Sequence, residues 1–510
     1  MITHPDPTLT DRLRSATTQR ATTDDYDLYK ELARVLDGLG LEPGDCGGSI
    51  EFTGADPVVP GATRVAAATA LTLVAKSIAV AKLWRMRGGA GQDISMDLRV
   101  APHRLCPFYE KKWELLNGYP LTDPASATSA FFSDRFYRTA DDRFVQPLEP
   151  YPGLRRDTCR LLGTGEDPAD VARAIARWKG TDLEQAGADY GVVMGMVRGV
   201  DEILRTRQYT SVLAGMPLVE IEKIGDSDPE PLPPNAISPL AGIRVLGRGH
   251  IIAGAGCGRA LSLHGADVLN IWNPYEYEIP KLYMTSNLGV RSAMLDLHTG
   301  EDHRRMLELL AGADVFYANR RPGSLERAGI GPEQAAAVRP GIIHATVNLH
   351  GRTGPWAGRV GFDQTAGCVA GIMAAEGDGE VPALPGVPVV NDYITAWLLA
   401  TGVLRALMLR AQVGGSYRVS VSLTRVALWV ASLGFLDPAY SAEVAGKAPG
   451  HEYLPPEIIQ ADTPLGLYTG IAEQVRMSQT PGAYPFVYVP RGSGRPEWLD
   501  ASPRSEGVRS

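Results

Sequence analysis

Between residues 239 and 423 the chain alternates in a way that leaves few folds open. Short apolar runs at Ile243–Leu246, Asp267–Ile271, Asp314–Ala318 and Ile342–Val347 read as strands. Helical stretches at Gly256–His264, Glu301–Leu310 and Pro332–Val338 separate them. Runs that are apolar throughout suit strands buried on both faces, and a helix between successive strands makes them parallel. The expected fold is therefore α/β, with a Rossmann-like parallel sheet as the main domain. Ligands of such sheets bind beyond the carboxyl ends of the strands.

Outside that region the texture changes. A helical pattern over Thr63–Arg87 turns at Gly88, Gly89 and Gly91 into a strand-like Asp93–Leu98. The same order recurs at Tyr393–Leu409, Gly414-Gly415 and Arg418–Leu423, and an offset of 325 pairs Leu73 with Leu398, Arg85 with Arg410 and Ser95 with Ser420. Two unrelated amphipathic helices ending in glycine would read similarly, but the shared order favours a duplicated piece. A further helix is expected around Tyr26–Leu39, and the Gly/Pro-rich Gly44–Gly61 as a loop. Residues 100–232 mix strands at Arg135–Thr139 and Arg143–Gln146 with the helix-rich Leu154–Arg207, which suits a smaller α+β domain. The DSDPEPLPP run within Gly225–Pro234 reads as a linker. The expected division is 1–44 extension, 45–100 truncated first copy of the main-domain tail, 101–232 small domain, 237–435 main domain, and 436–510 linker and tail. The Pro/Gly/Tyr-rich tail is expected to end in a mobile Gly/Ser/Arg segment.

Charge and composition remove several function classes. With 58 acidic against 50 basic residues the net charge is −8, which argues against nucleic acid or an anionic membrane as partner. Val65–Leu83 is interrupted by Lys76 and Lys82, and Tyr393–Leu404 stops at Arg405, so both are expected as buried helices too short to span a bilayer. The polar Met1–Asp25 predicts no signal peptide and a cytoplasmic protein. Five scattered cysteines and histidines without i,i+4 spacing predict neither a disulfide framework nor a metal site. Gly254-Ala255-Gly256-Cys257-Gly258 approaches a dinucleotide fingerprint. However, seven residues separate it from the preceding strand, and the next strand ends in Trp272-Asn273, not an acidic residue. A glycine-lined helix entry is expected instead.

An ordered set of small blocks carries a more specific signal. It runs from Pro239–Leu246 through Leu263–Val268, Arg291-Ser292, Leu295-Asp296-Leu297, Ala313–Val315, Asn319–Gly323, Leu325–Arg327, Gly351–Pro355 and Gly361–Asp363 to Gly386–Asp392. In order and spacing these blocks resemble family III CoA transferases, the formyl-CoA and carnitine CoA transferase group. The likeness continues more weakly into 112–232 and at Met477–Gly482. It implies transfer of CoA from an acyl-CoA to a carboxylic acid, with Asp392 as covalent nucleophile and no permanently bound cofactor. It also implies an intertwined homodimer. By matching positions, Asn319, Arg320, Arg321 and Arg327 are candidates for the phosphates and adenosine. Ala253, Leu295, His298, Arg359, Val360, Gly361 and Phe362 match other CoA contacts. Two positions depart from the family pattern: Asn273, where an arginine often ends the second strand, and His298, where a lysine is usual.

Each assignment has a plainer alternative. An Asp before an apolar helix is commonly its N-cap, stabilising by about 1 kcal/mol, and the basic residues could simply lie on a solvated face. The offset of 325 places Ala67 opposite Asp392, so the first copy has no such carboxylate. Gly386 is a candidate for bringing backbone N–H groups to the reacting oxygen, and Tyr393, Trp397 and Trp356 for walls of an acyl pocket. An inactive CoA-binding paralogue or scaffold is the alternative function. A 2-methylacyl-CoA racemase is less favoured, because Phe362 stands where a proton-exchanging histidine would be needed.

Overall fold

The computed structural model describes residues 8–121 and 135–499, so the expected mobile terminus beyond 499 lies outside the described residues. The first elements are α1 (Leu9–Thr18), capped by the Thr8 hydroxyl, and α2 (Leu28–Asp37), capped by Asp27. Capping at Asp27 is why the helix expected from Tyr26 starts two residues later. Next come β1 (Gly47–Thr53), α3 (Val65–Met86) and β2 (Gln92–Asp97). Strand β1 lies inside the segment expected to be a loop. Its Gly48 sits where a Cβ would come within 2.4 Å of the Gln92 carbonyl oxygen, so the glycine permits pairing and does not break it.

The main sheet comes after these. Strands β3 (Glu220–Gly225), β4 (Arg244–Arg248), β5 (Asp267–Trp272), β6 (Arg291–Met294), β7 (Val315–Ala318), β8 (Ile343–Asn348) and β9 (Ser416–Ser422) lie in the order β6-β5-β4-β7-β8-β9-β3. All neighbours are parallel except the β9–β3 pair. Every residue of β5 and β7 is buried, as expected of parallel strands covered on both faces. Three helices position the candidate site: α4 (Ala253–Ser262) between β4 and β5, α5 (Asp363–Ala370), and α6 (Asn391–Val413) leading into β9. Gly414 ends α6 with φ +70°, and a Cβ there would also strike the Ser227 carbonyl oxygen at 2.1 Å.

Helices α3 and α6 are 22 and 23 residues long, continuing past the lysines and arginine that interrupt their apolar runs. Contrary to expectation, both are long enough to cross a bilayer. Their most apolar windows are 94% and 83% buried, and the two helices pack against each other in the core.

The two helix–turn–strand stretches also share a strand register. β1 pairs with β2 through Ile50–Ile94, Glu51–Ser95, Phe52–Met96 and Thr53–Asp97. β8 pairs with β9 through Ala345–Val419, Thr346–Ser420, Val347–Val421 and Asn348–Ser422, so the offset of 325 carries β2 onto β9 residue for residue. Each second strand then takes an antiparallel partner from the other part of the chain. β3, N-terminal to the main sheet in sequence, joins β9, while β10 (Val475–Met477), from the tail, joins β2. The first copy thus has its own three-stranded sheet, β1-β2-β10, instead of extending the main one.

Two smaller sheets complete the described fold. Tyr137–Arg138, Phe144–Pro147 and Met194–Met196 form one; Ile458–Thr463, Gly466–Ile471, Leu115–Leu116 and Tyr119–Pro120 form the other. The proline-rich linker is anchored along its length: Gly415 N–H donates to Ser227, Glu230 pairs with Arg339 at 2.7 Å, and Arg87 donates to the Pro233 carbonyl.

Candidate active site around Asp392

The glycine run sits inside α4, where each glycine costs up to about 1 kcal/mol of helix propensity relative to alanine. Packing accounts for it. A Cβ on Gly254 would lie 2.3 Å from Asn319 Oδ1, on Gly256 2.9 Å from the Ala396 methyl of α6, and on Gly258 2.5 Å from Tyr317 Oη. The glycines let α4 press against both α6 and β7. That contact brings the backbone just before α4 onto the first turn of α6.

Asp392 is the second residue of α6, not its cap. Its own N–H donates to Asp363 Oδ2 at 2.8 Å, and the Asn391 side chain donates to Asp363 Oδ1 at 3.3 Å. Asp363 therefore does the capping, 29 residues earlier in sequence. The first copy has the same device: Asp56 accepts the N–H groups of Ala66 and Ala67, at 3.1 and 2.7 Å, at the start of α3. Ala66 and Ala67 are the positions equivalent to Asn391 and Asp392. The cap is present in both copies and the second carboxylate in only one.

Freed from capping, the Asp392 carboxylate accepts a hydrogen bond from the Ile252 N–H, in the loop ahead of α4. The residue is 8% exposed. Burial pushes its pKa well above the usual carboxylate range, and the neighbouring Asp363 charge adds to this. Burial also raises Asp363, to about 7, against the hydrogen bonds that it accepts. Of the two, Asp392 is the harder to ionise, because Asp363 holds the helix N–H donors. Cys106, itself buried, feels both charges.

A polar chain lies beside this pair at the carboxyl ends of β4, β5 and β7. Tyr151 donates to Glu278 at 3.1 Å, and its ring stacks on Phe362 with 6.1 Å between centroids. Glu278 meets His250 Nδ1 at 3.1 Å, and Arg320 Nη1 meets both oxygens of Glu276 at 2.8 Å. Burial works against ionised Glu276, but His250 and Arg320 hold its carboxyl down to about 2. Asn319 Oδ1 accepts the His250 N–H at 2.7 Å and so fixes the same loop. Arg320 Nη2 and Arg248 Nε have no hydrogen-bond partner among the described residues.

The structure thus gathers Ala253, Asn319, Arg320, Phe362 and Asp392 around the loop that precedes α4. Other candidates are occupied elsewhere. The Leu295 side chain is buried in the core with Met306 and Phe316, which leaves only its backbone near the strand ends. His298 is exposed on the following turn. Arg327 is exposed and folds over Gly323, and Arg321 lies near Gly191. Arg359 donates to Glu184 at 2.9 Å and covers the Trp356 ring at 4.7 Å, so its charge is already paired. Val360 is half-buried, and Gly361 packs against Leu349 and Thr365. Gly386 faces the Pro60 carbonyl oxygen, where a Cβ would be 2.4 Å away, so Ile252 and not Gly386 supplies the nearby N–H. Tyr151, His250, Glu276, Glu278, Arg248 and Ile252 were not singled out by sequence. Their shared location emerges only from chain crossings, although His250 lies just beyond the end of β4 and could have been suspected from that position.

Part of the chain is similar to known proteins. Residues 240–461 match CoA-transferase family III. The acetyl-coenzyme A transferase nodX of Hypoxylon pulicicidum is 29% identical over 59% of this chain and 55% of its own length. The succinyl-CoA–L-malate CoA-transferase beta subunit of Chloroflexus aurantiacus is 33% identical over 36% of this chain and 49% of its own. An acyl-CoA transferase of Gibberella moniliformis is 27% identical over 74% and 72% respectively. The crystal structure of Rv3272 from Mycobacterium tuberculosis is 29% identical over 38% of this chain and 58% of that one, with a TM-score of 0.36. The chain spans about half the length of the first two of these relatives.

Proposed function

We propose that this chain, whose residues 240–461 match CoA-transferase family III, transfers coenzyme A from an acyl-CoA to a carboxylic acid acceptor, with Asp392 as covalent nucleophile. The observation that carries the reading is the orientation of Asp392. Its helix is capped by another residue, so the carboxylate is available where β4 and β7 end.

The reaction needs no external energy source, because a thioester is exchanged for a thioester. Asp392 Oδ adds to the thioester carbonyl, the C–S bond breaks, and the products are an acyl–aspartyl anhydride and CoA thiolate. The thiolate then attacks the aspartyl carbonyl of the anhydride, releasing the donor carboxylate and leaving aspartyl-CoA thioester. The acceptor carboxylate attacks that thioester to form a new anhydride and release thiolate. Thiolate attack on the new acyl carbonyl gives the product acyl-CoA and restores the Asp392 carboxylate. A carboxylate is a weak nucleophile, so positioning supplies much of the acceleration. A buried Asp392 also keeps water from the anhydride. Ile252 N–H orients the attacking oxygen. Arg248, whose Nε lacks a partner among the described residues, and Arg320, whose charge is shared with Glu276, are the cations at these strand ends that CoA phosphates would meet. Entry of the pantetheine arm requires side chains around Asp392 to move, since Asp392 is only 8% exposed.

The test is to incubate the purified protein with a panel of acyl-CoAs and carboxylates and measure its intact mass. The expected result is an acyl or CoA adduct that hydroxylamine removes, absent from Asp392→Ala, whose turnover falls by ~10⁴-fold. Wild-type protein that forms no adduct and exchanges no CoA across the panel would leave the scaffold reading in its place.

A further inference from the structure

A partly open pocket of ≈ 230 Å³ lies where α6 meets α1, α2, the stretch Pro217–Val219 and α7 (Leu423–Ser432). Leu398, the α6 residue on its wall, comes well after Asp392 in the helix, about 9 Å along the axis. Part of the lining is aliphatic, from Val35, Leu39, Leu218 and Leu398. The charged part consists of three arginines, Arg12, Arg34 and Arg425, and one carboxylate, Glu31. Glu31 is 2% exposed and accepts hydrogen bonds from Arg12 at 2.9 Å, from Arg34 at 3.1 Å and from Trp429 Nε1 at 2.9 Å. Arg425 is held differently. Its Nε donates to the Met216 carbonyl at 2.8 Å, while its Nη1 is buried and has no hydrogen-bond partner among the described residues. Burial, with the Arg12 charge beside it, lowers the Arg425 pKa to about 10, so the side chain stays cationic at neutral pH.

The Glu31 carboxylate that could answer this charge is already shared between two other arginines. The volume is far more than one water molecule needs, so an organic molecule can enter. A phosphate ion wants polar partners all round, and the four aliphatic side chains offer none. A carboxylate with a short hydrocarbon tail needs such partners at one end only, and a guanidinium edge matches that end.

We propose that this pocket binds a small aliphatic monocarboxylate, with the head group on the Arg425 guanidinium and the tail against Val35, Leu39, Leu218 and Leu398. The site shares no lining residue with the surroundings of Asp392, and the proposal does not depend on the chemistry assigned there.

The probe is sodium hexanoate, titrated by calorimetry into the full chain as wild type, Asp392→Ala, Arg425→Met and Leu218→Trp. Wild type and Asp392→Ala are expected to bind it saturably and alike. Arg425→Met removes the cation, and Leu218→Trp fills the pocket while keeping every arginine. Each is expected to weaken binding at least about tenfold. Hexanamide, which lacks the charge, and inorganic phosphate, which lacks the tail, should bind wild type more weakly by a similar factor. Unchanged affinity in either pocket variant overturns the proposal, as does hexanamide or phosphate binding as tightly as hexanoate. Absence of saturable hexanoate binding in wild type overturns it too, and binding lost in Asp392→Ala would place the carboxylate at the catalytic residue instead. Should Arg425→Met fail to fold, Leu218→Trp decides.

Discussion

A carboxylate taken out of water ionises only if something nearby favours its charge. For Asp392 the partners are one backbone N–H and another carboxylate. This makes the pair Asp363–Asp392 a pH-sensitive unit. Both carboxyls have raised pKa values, so at low pH the pair is doubly protonated and Asp392 cannot attack. As pH climbs, Asp363, with the helix donors on its side, competes for the first ionisation. Asp363→Asn removes the like charge while keeping an acceptor oxygen for the helix N–H, so Asp392 ionises at lower pH. The acid limb of kcat/KM, followed from about pH 5 to pH 9, is expected to move down in this variant. An unmoved limb would sink the coupling. Stability follows the same sign: carboxyls raised in the fold bind protons more tightly folded than unfolded, so stability is greatest below the unfolded value of about 4 and declines as pH rises through the raised values. The variant should decline less. Asp392 itself could be read from its motif, whereas its two controlling contacts could not. One comes from a residue 29 positions away, and the other is a backbone N–H that no side chain announces.

At the scale of elements, the alternating region was readable because each central strand is a short apolar run bounded by turn residues. The observed β4, β5, β7 and β8 begin or end within a residue or two of expectation. Strands β1, β3 and β10 were missed for a shared physical reason. They are short, partly polar edge or outer strands, such as Glu-Ile-Glu-Lys-Ile-Gly in β3, and their partners lie far away in sequence. The matching caps at Asp56 and Asp363 separate what the helix needs from what chemistry needs. Asp56 has only the structural task. Asp56→Ala is therefore expected to lower stability by about 1–2 kcal/mol, read as a lower urea midpoint, with turnover per folded molecule unchanged. A loss of turnover at unchanged stability would mean that the first copy takes part in the reaction.

At the scale of the whole molecule, the strand exchange decides how the halves hold together. β3 belongs to the first half of the chain and completes the sheet of the second; β10 belongs to the second half and completes the sheet of the first. Between them, α3 and α6 bury their apolar lengths against one another. The family resemblance assigns intertwining to two chains, and this chain contains an exchange of its own. The covalent link near residue 237 should then be dispensable once folding is complete. Ile237 is 81% exposed, just beyond the proline-rich linker, and offers a place for an inserted protease site. After cleavage there, the two fragments should co-elute in native gel filtration as one particle of uncut size and separate only in denaturant. Each holds a strand of the other's sheet, so parting them exposes two sheet edges and a long helix–helix contact together. Fragments that drift apart without denaturant would show that the exchanged strands and the α3–α6 contact are too weak to unite the halves.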